Sequence, residues 1–306
     1  MMWLFLAILA GMVVAPFVIE ARRPKIGRDA RTGAPGAFAR LSAGATYYRW
    51  HGPVRGPVVV MIHGLTTPSP VFDALAAGVG RLGYRVLTYD LYGRGLSDAP
   101  AGEQDAEFFC DQLLELLAKV EVEDDVTLLG YSMGGSIATV FAARYPHRVS
   151  RVVLLASAGL EIEESGFDRI CRSVPYLGDW LFLGFAPLRL GAAVRASKVA
   201  SEVDDIEAVQ LAEHDRRGFF PAVLASRRGL LSETLEEQHR KISRDDIPVF
   251  AIWGARDAVI PIAALGVLAQ WNRVAKQEVV SEAGHEIVYS HASEVLDYLR
   301  GMLMER

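Results

Sequence analysis

Short runs of consecutive apolar residues alternate along the chain with stretches in which apolar positions return every three or four residues. The runs at 58–62, 84–89, 126–129, 152–155 and 247–253 read as strands covered on both faces, because a strand with no solvent side has no polar positions to alternate. A shorter run at 277–280 supplies one more. Helical spacing is predicted over about 71–82, 106–120, 133–145, 262–274 and 292–304. Strand followed by helix, repeated, predicts an α/β fold with a mostly parallel central sheet and helices on both faces. Ahead of it, 38–41 and 45–50 read as the arms of a hairpin. After the sixth strand, from 160 to 246, the alternation stops and the chain reads as helices and loops, a helical lid inserted into the sheet. The expected organisation is an N-terminal membrane anchor (1–21), a linker (22–36), a first core part (37–159), the lid (160–246) and a second core part (247–306).

Residues 1–19 carry no charged side chain, and as a helix they would span roughly 28 Å, close to the hydrocarbon thickness of a bilayer. A cleaved signal peptide would have a positive start and a small-residue cleavage site. Here the candidate site after Ala15 is followed by Pro16, and Arg22, Arg23, Lys25, Arg28 and Arg31 all lie after the apolar run. That charge bias holds the C-terminal side in the cytoplasm. The expectation is therefore an uncleaved anchor with a cytoplasmic catalytic domain. A secreted or periplasmic product of signal cleavage, and a helix lying in the interface or on the domain, are the alternatives.

Composition narrows the partners. A chain of 306 residues, 51% hydrophobic, buries a large core without disulfides or metals. With 37 acidic against 32 basic residues it lacks the concentrated cationic face that nucleic acid demands. Cys110 and Cys171 show neither CxxC spacing nor a nearby His cluster, so they read as buried thiols and no metal site is expected.

The chemistry concentrates at Gly130-Tyr131-Ser132-Met133-Gly134-Gly135, where a strand gives way to a helix. A serine on so tight a turn needs small neighbours, and the turn lifts its hydroxyl above the sheet. That hydroxyl is a weak nucleophile until a base takes its proton. Among seven histidines, His285 follows the last predicted strand and emerges on the same sheet edge as Ser132, whereas His51, His147, His214, His239 and His291 fall in a hairpin loop, on helices or in the insertion. A carboxylate must hold the imidazole in its reactive tautomer. Asp257, just past the strand ending at Trp253, fits; its bland reading is a turn or helix-capping aspartate. Backbone donors for a developing oxyanion are expected from the Met133 amide and from the loop His63-Gly64-Leu65-Thr66, through Leu65. His63 itself is expected to shape that loop.

Together His63-Gly64, Tyr89-Asp90-Leu91-Tyr92-Gly93-Arg94-Gly95-Leu96-Ser97-Asp98, the Gly130 to Gly135 turn, Gly254-Ala255-Arg256-Asp257 and Gly284-His285 resemble the lid-bearing serine esterase and lipase branch of the α/β-hydrolase superfamily, the branch that includes monoacylglycerol lipases. The resemblance runs from about residue 58 to the terminal helix. It implies the chain order nucleophile, acid, base for Ser132, Asp257 and His285, structural roles for Asp90 and Arg94, and no cofactor. Two departures stand out: Tyr131 precedes the nucleophile, and the oxyanion loop is not glycine-rich. A serine nucleophile disfavours the epoxide hydrolases and haloalkane dehalogenases of the superfamily.

Residues 180–188 and Phe219-Phe220 are strongly apolar. Over Ser132 they would favour an acyl chain; otherwise they form the lid's own core. The expected activity is hydrolysis of lipophilic carboxylic esters such as monoacylglycerols. Alternatives are carbon–carbon bond hydrolysis or acyl transfer with the same triad, a low-turnover binding protein, and a membrane scaffold.

Overall fold

The structure, a computed structural model, describes residues 1–161 and 164–304. Among them a single mixed sheet runs in the order β1-β2-β4-β3-β5-β6-β7-β8. The hairpin β1 (Ala37–Leu41) and β2 (Gly44–His51) is antiparallel, and β2 pairs antiparallel with β4 (Arg85–Tyr89). From there β3 (Val58–Ile62), β5 (Val126–Tyr131), β6 (Val149–Leu155), β7 (Val249–Gly254) and β8 (Lys276–Val280) are all parallel.

The strand period of two divides the apolar runs between two cores. Val60, Ile62, Leu128, Leu154 and Ala251 face one side, with α4 (Ala106–Lys119), α5 (Met133–Arg144) and α11 (Ala263–Trp271). Val59, Met61, Leu129, Val153 and Ile252 face the other, with α3 (Asp73–Arg81), α12 (Ile287–Ser290) and α13 (Ala292–Met304). Burying a side chain such as Phe141 or Leu299 on either side contributes about 2–3 kcal/mol. Because every parallel strand points the same way, the loops after β3, β5, β7 and β8 gather at one sheet edge.

Between β6 and β7 lie α6 (Gly166–Ser173), α7 (Leu177–Ala196), α8 (Ile206–His214), α9 (Phe219–Arg228) and α10 (Glu236–Arg244). Ser165 caps α6 by accepting the Asp168 amide at 3.1 Å. Cys171, Phe182, Ala186, Phe219, Phe220, Val223 and Leu224 form a separate small core within the insertion. Leu230, Leu235 and Ile242 instead join the large core under the sheet, so the end of the insertion, with α10, packs on α5.

At the N-terminus, α1 (Met2–Arg22) lies against α7. Pro16, inside α1, has no N–H to give the Met12 carbonyl. The indole of Trp180 donates to that carbonyl at 3.1 Å. The segment expected as a linker is docked: it holds a short helix α2 (Arg28–Arg31), Pro24 accepts from the Arg217 amide at 2.9 Å, and Arg31 pairs with Asp98 at 2.6 Å.

Candidate active site

Ser132 sits between β5 and α5 with φ 54° and ψ −119°, a conformation that costs a side-chain-bearing residue energy and persists only where its surroundings enforce it. Here the enforcement is steric. A Cβ on Gly134 would lie 1.9 Å from the Ile62 carbonyl oxygen, and one on Gly130 2.3 Å from the Gly134 carbonyl oxygen. Only glycines let the turn close this tightly. The Ser132 amide donates to the Leu155 carbonyl at 3.0 Å, which ties the turn to β6.

From the loop after β8, His285 Nε2 lies 2.9 Å from Ser132 Oγ. Its Nδ1 lies 2.8 Å from Oδ2 of Asp257, which comes from the loop after β7. The other carboxylate oxygen, Oδ1, accepts the amides of Val259 and Ile260, each at 2.7 Å. Asp257 is thus buried with both oxygens occupied, and its placement requires a proton on Nδ1. Nε2 is then the free acceptor facing the serine hydroxyl.

Tyr131, beside the nucleophile, reaches across to the same loop. Its hydroxyl donates to the His285 carbonyl at 2.9 Å and its ring lies 5.3 Å from the imidazole. Burial pushes the phenol well above its ordinary range, so it stays a donor. In the sequence Tyr131 is only a departure from pattern; a contact spanning 154 positions leaves no local mark.

Leu65 lines the cavity above Ser132, and the Arg94 guanidinium holds its carbonyl at 3.0 Å. Met133 opens α5, where the first amides have no partner inside the helix and carry the positive end of its dipole. His63 is fully buried between the Leu91 amide, which donates to Nε2 at 2.9 Å, and the Gly64 carbonyl, 2.8 Å from Nδ1. Burial pulls its imidazole down to about 3, so it stays neutral and holds the loop after β3 to the loop after β4. Asp90 accepts the Ser69 and Leu96 amides at 2.9 and 2.8 Å, a turn-building arrangement away from the nucleophile.

The cavity over Ser132 and His285 has a volume of about 430 Å³. Leu65, Leu190, Leu231, Val259 and Ile260 form its apolar part. Its insertion side is ionic: Arg172 pairs with Glu164 at 2.9 Å and Arg227 with Asp168 at 2.7 Å. Neither residues 180–188 nor Phe219-Phe220 lines this space. Of the two readings open for these segments, the structure shows the second: Phe182, Phe219 and Phe220 are consumed by the insertion's own core, and Trp180 faces α1. Nothing in the sequence told these arginines apart from solvated ones. A larger hollow of about 640 Å³, between the segment after α1 and α9, contains none of Ser132, Asp257 and His285. Among the described residues, no group of three or more His, Cys, Asp or Glu is placed to hold a metal ion.

A family model described as the alpha/beta hydrolase fold matches residues 57–292. The pimeloyl-[acyl-carrier protein] methyl ester esterase of Aromatoleum aromaticum is 29% identical over 261 residues, covering 80% of this chain and 99% of that protein. The 2-hydroxymuconate semialdehyde hydrolase of a Pseudomonas species is 28% identical over 226 residues, covering 72% of this chain and 77% of its own length. Among solved structures, a bacterial membrane phospholipase A superposes with a TM-score of 0.69 at 19% identity, over 99% of this chain and 96% of that one.

Proposed function

Since the chain belongs to the α/β-hydrolase fold family, we propose that it is a serine hydrolase of lipophilic carboxylic esters, working through Ser132, His285 and Asp257. The observation that carries this reading is the unbroken relay from Asp257 Oδ2 to His285 Nδ1 at 2.8 Å and from His285 Nε2 to Ser132 Oγ at 2.9 Å, open to a cavity of acyl-chain size. His285 takes the Ser132 proton as Oγ attacks the ester carbonyl, and Asp257 stabilises the imidazolium. The oxyanion rests on the Leu65 and Met133 amides. His285 then protonates the leaving alcohol. Water, activated by the same imidazole, releases the acid and restores Ser132. The scheme needs no cofactor.

In this reading residues 160–246 serve as the lid, and α1 anchors the enzyme in the membrane with the catalytic domain on the cytoplasmic side. The apolar run of residues 1–19 and the basic residues from Arg22 to Arg31 support that placement. The substrate is then an ester of the adjoining leaflet, of the monoacylglycerol type. A second reading, hydrolysis of a carbon–carbon bond, draws on the Pseudomonas relative.

Labelling of the membrane-extracted enzyme with a fluorophosphonate, beside Ser132→Ala, tests the nucleophile. An ester chain-length series and a ring-cleavage-type diketone separate the substrates. Labelling lost in Ser132→Ala with turnover rising with acyl length is the expected result. Absence of labelling in folded wild type overturns the serine mechanism, and turnover of the diketone alone favours the second reading.

A further inference from the structure

α1 does not project from the domain as a free tether. Trp180 of α7 donates to the Met12 carbonyl that Pro16 leaves unpaired, and Pro16 Cγ lies 3.6 Å from where a Cβ on Gly184 would stand. Both contacts join residues 168 positions apart, so the two helices run parallel and in step. Further on, Glu20 accepts the Gly218 amide at 2.7 Å and the Arg23 guanidinium lies 4.5 Å above the Phe220 ring. Only the part of α1 before Met12 is free, about 15 Å of helix, half of the roughly 30 Å hydrocarbon layer. A helix docked in this way crosses the bilayer only if the flank of α7 beside it goes in too.

That flank is built for it. On α7 the positions Leu177, Leu181, Phe185 and Leu188, spaced at i, i+4, i+8 and i+11, form one stripe next to the α1 seam. Phe185 is 46% exposed and Leu188 72%, while the outward positions of α1 alongside, such as Val14 and Ile19, are also exposed. Asp179, the one charge in this half of α7, turns the other way and pairs with Arg228 at 2.9 Å. The two helices also change character at one level. Carried forward at the same offset of 168, the register sets Glu20 level with Leu188 and Arg22 level with Leu190; charge begins at Glu20 on α1 and returns at Arg189 on α7. Leu190, at that level, lines the cavity over Ser132.

We propose that α1 and the outer stripe of α7 form a single bilayer-inserting surface, with the hydrocarbon boundary at Ile19 to Glu20 on α1 and Leu188 to Arg189 on α7, which seats the active-site cavity at headgroup level. The proposal rests on the membrane placement given above for α1. It identifies the occupant of the stripe as a phospholipid leaflet, since the stripe continues an apolar helix of membrane length and ends in the same basic belt. Such seating lets an ester enter the cavity from the lipid without crossing water.

The test uses the full chain in phosphatidylcholine–phosphatidylglycerol vesicles, labelled with an environment-sensitive fluorophore at Phe185→Cys or, for comparison, at Glu237→Cys on the exposed side of α10. Cys110 and Cys171 are buried and stay unlabelled. The expected result is several-fold stronger quenching at position 185 than at 237 by lipids carrying a nitroxide on the acyl chain, and several-fold weaker quenching by aqueous iodide. Protein that floats with the vesicles while position 185 remains as open to iodide as 237 overturns the proposal and leaves the α1 anchor standing. Protein that does not float overturns the anchor itself. Shielding from iodide that disappears on dilution with lipid, without nitroxide quenching, assigns the stripe to a second copy of the chain and also overturns the proposal.

Discussion

The hydroxyl of Tyr131 holds the backbone carbonyl of His285 at 2.9 Å, so the residue next to the nucleophile also fixes the loop that carries the base. Tyr131→Phe keeps the ring against the imidazole and removes only this bond. Loss of about 1 kcal/mol of positioning predicts close to a fivefold fall in kcat with KM nearly unchanged. Steady-state kinetics on a chromogenic ester checks it, and a larger rise in KM than fall in kcat would contradict the positioning role.

Replacing the members of the relay should separate their roles. Ser132→Ala is expected to lose activity by a factor on the order of 10⁴ or more, and Asp257→Asn, which leaves the imidazole free to take the wrong tautomer, by on the order of 10³ or more. Near-ultraviolet circular dichroism of both variants should match wild type. Asp257 also anchors the Val259 and Ile260 amides, so an altered spectrum in Asp257→Asn would show that its role is partly to shape the loop.

Gly134→Ala places a methyl group 1.9 Å from the Ile62 carbonyl oxygen, and neither backbone can yield without opening the β3–β5 pairing. The expected cost is roughly 3 kcal/mol, at the upper end for overpacking. Chemical denaturation measures it; Gly266→Ala, in a helix with open space around the glycine, is the unstrained comparison, expected to gain up to about 1 kcal/mol.

Arg94 is buried and its guanidinium bridges Leu65 of the oxyanion loop, Gln104, and Ala222 and Ser226 of α9. A lysine cannot reproduce that fork. Arg94→Lys is expected to destabilise by about 3 kcal/mol, through buried acceptors left without donors, and to lower kcat along with the melting temperature. A stable variant with unchanged kcat would show that the insertion and the oxyanion loop are held independently.

His239 is buried beside Trp271, with no hydrogen-bond partner for either ring nitrogen among the described residues. Burial pulls its imidazole down to about 4. Below the ordinary value of 6.5 the unfolded chain takes a proton that the folded chain refuses, so this contribution is complete above pH 6.5 and is lost as pH falls towards 4. His239→Leu removes it. The variant should gain on wild type between pH 7 and pH 5 by at most about 2 kcal/mol, read from urea midpoints. An equal difference at both pH values would contradict the assignment.

Much of the fold is legible in the sequence because its signals are local. The apolar runs of β3, β5, β6 and β7, the hairpin β1–β2 and the periodic helices α4, α5 and α13 follow from burial on one or two faces, which side-chain order records directly. Ser132, Asp257 and His285 could be nominated because parallel strands deliver their loops to one edge, so position after a strand already implies position in space. Their hydrogen bonds belong to the tertiary structure, as do the Tyr131 contact, the ionic cavity wall of Arg172 and Arg227, and the division of residues 180–188 between the insertion's own core (Phe182, Ala186), the α1 seam (Trp180) and solvent (Phe185, Leu188). In the insertion α7 carries apolar residues on several sides, and periodicity alone cannot say which side meets the sheet, the cavity or a membrane. Those choices depend on groups far apart in the chain, such as the Met12 carbonyl that Pro16 frees and Trp180 satisfies, and tertiary packing alone brings them together.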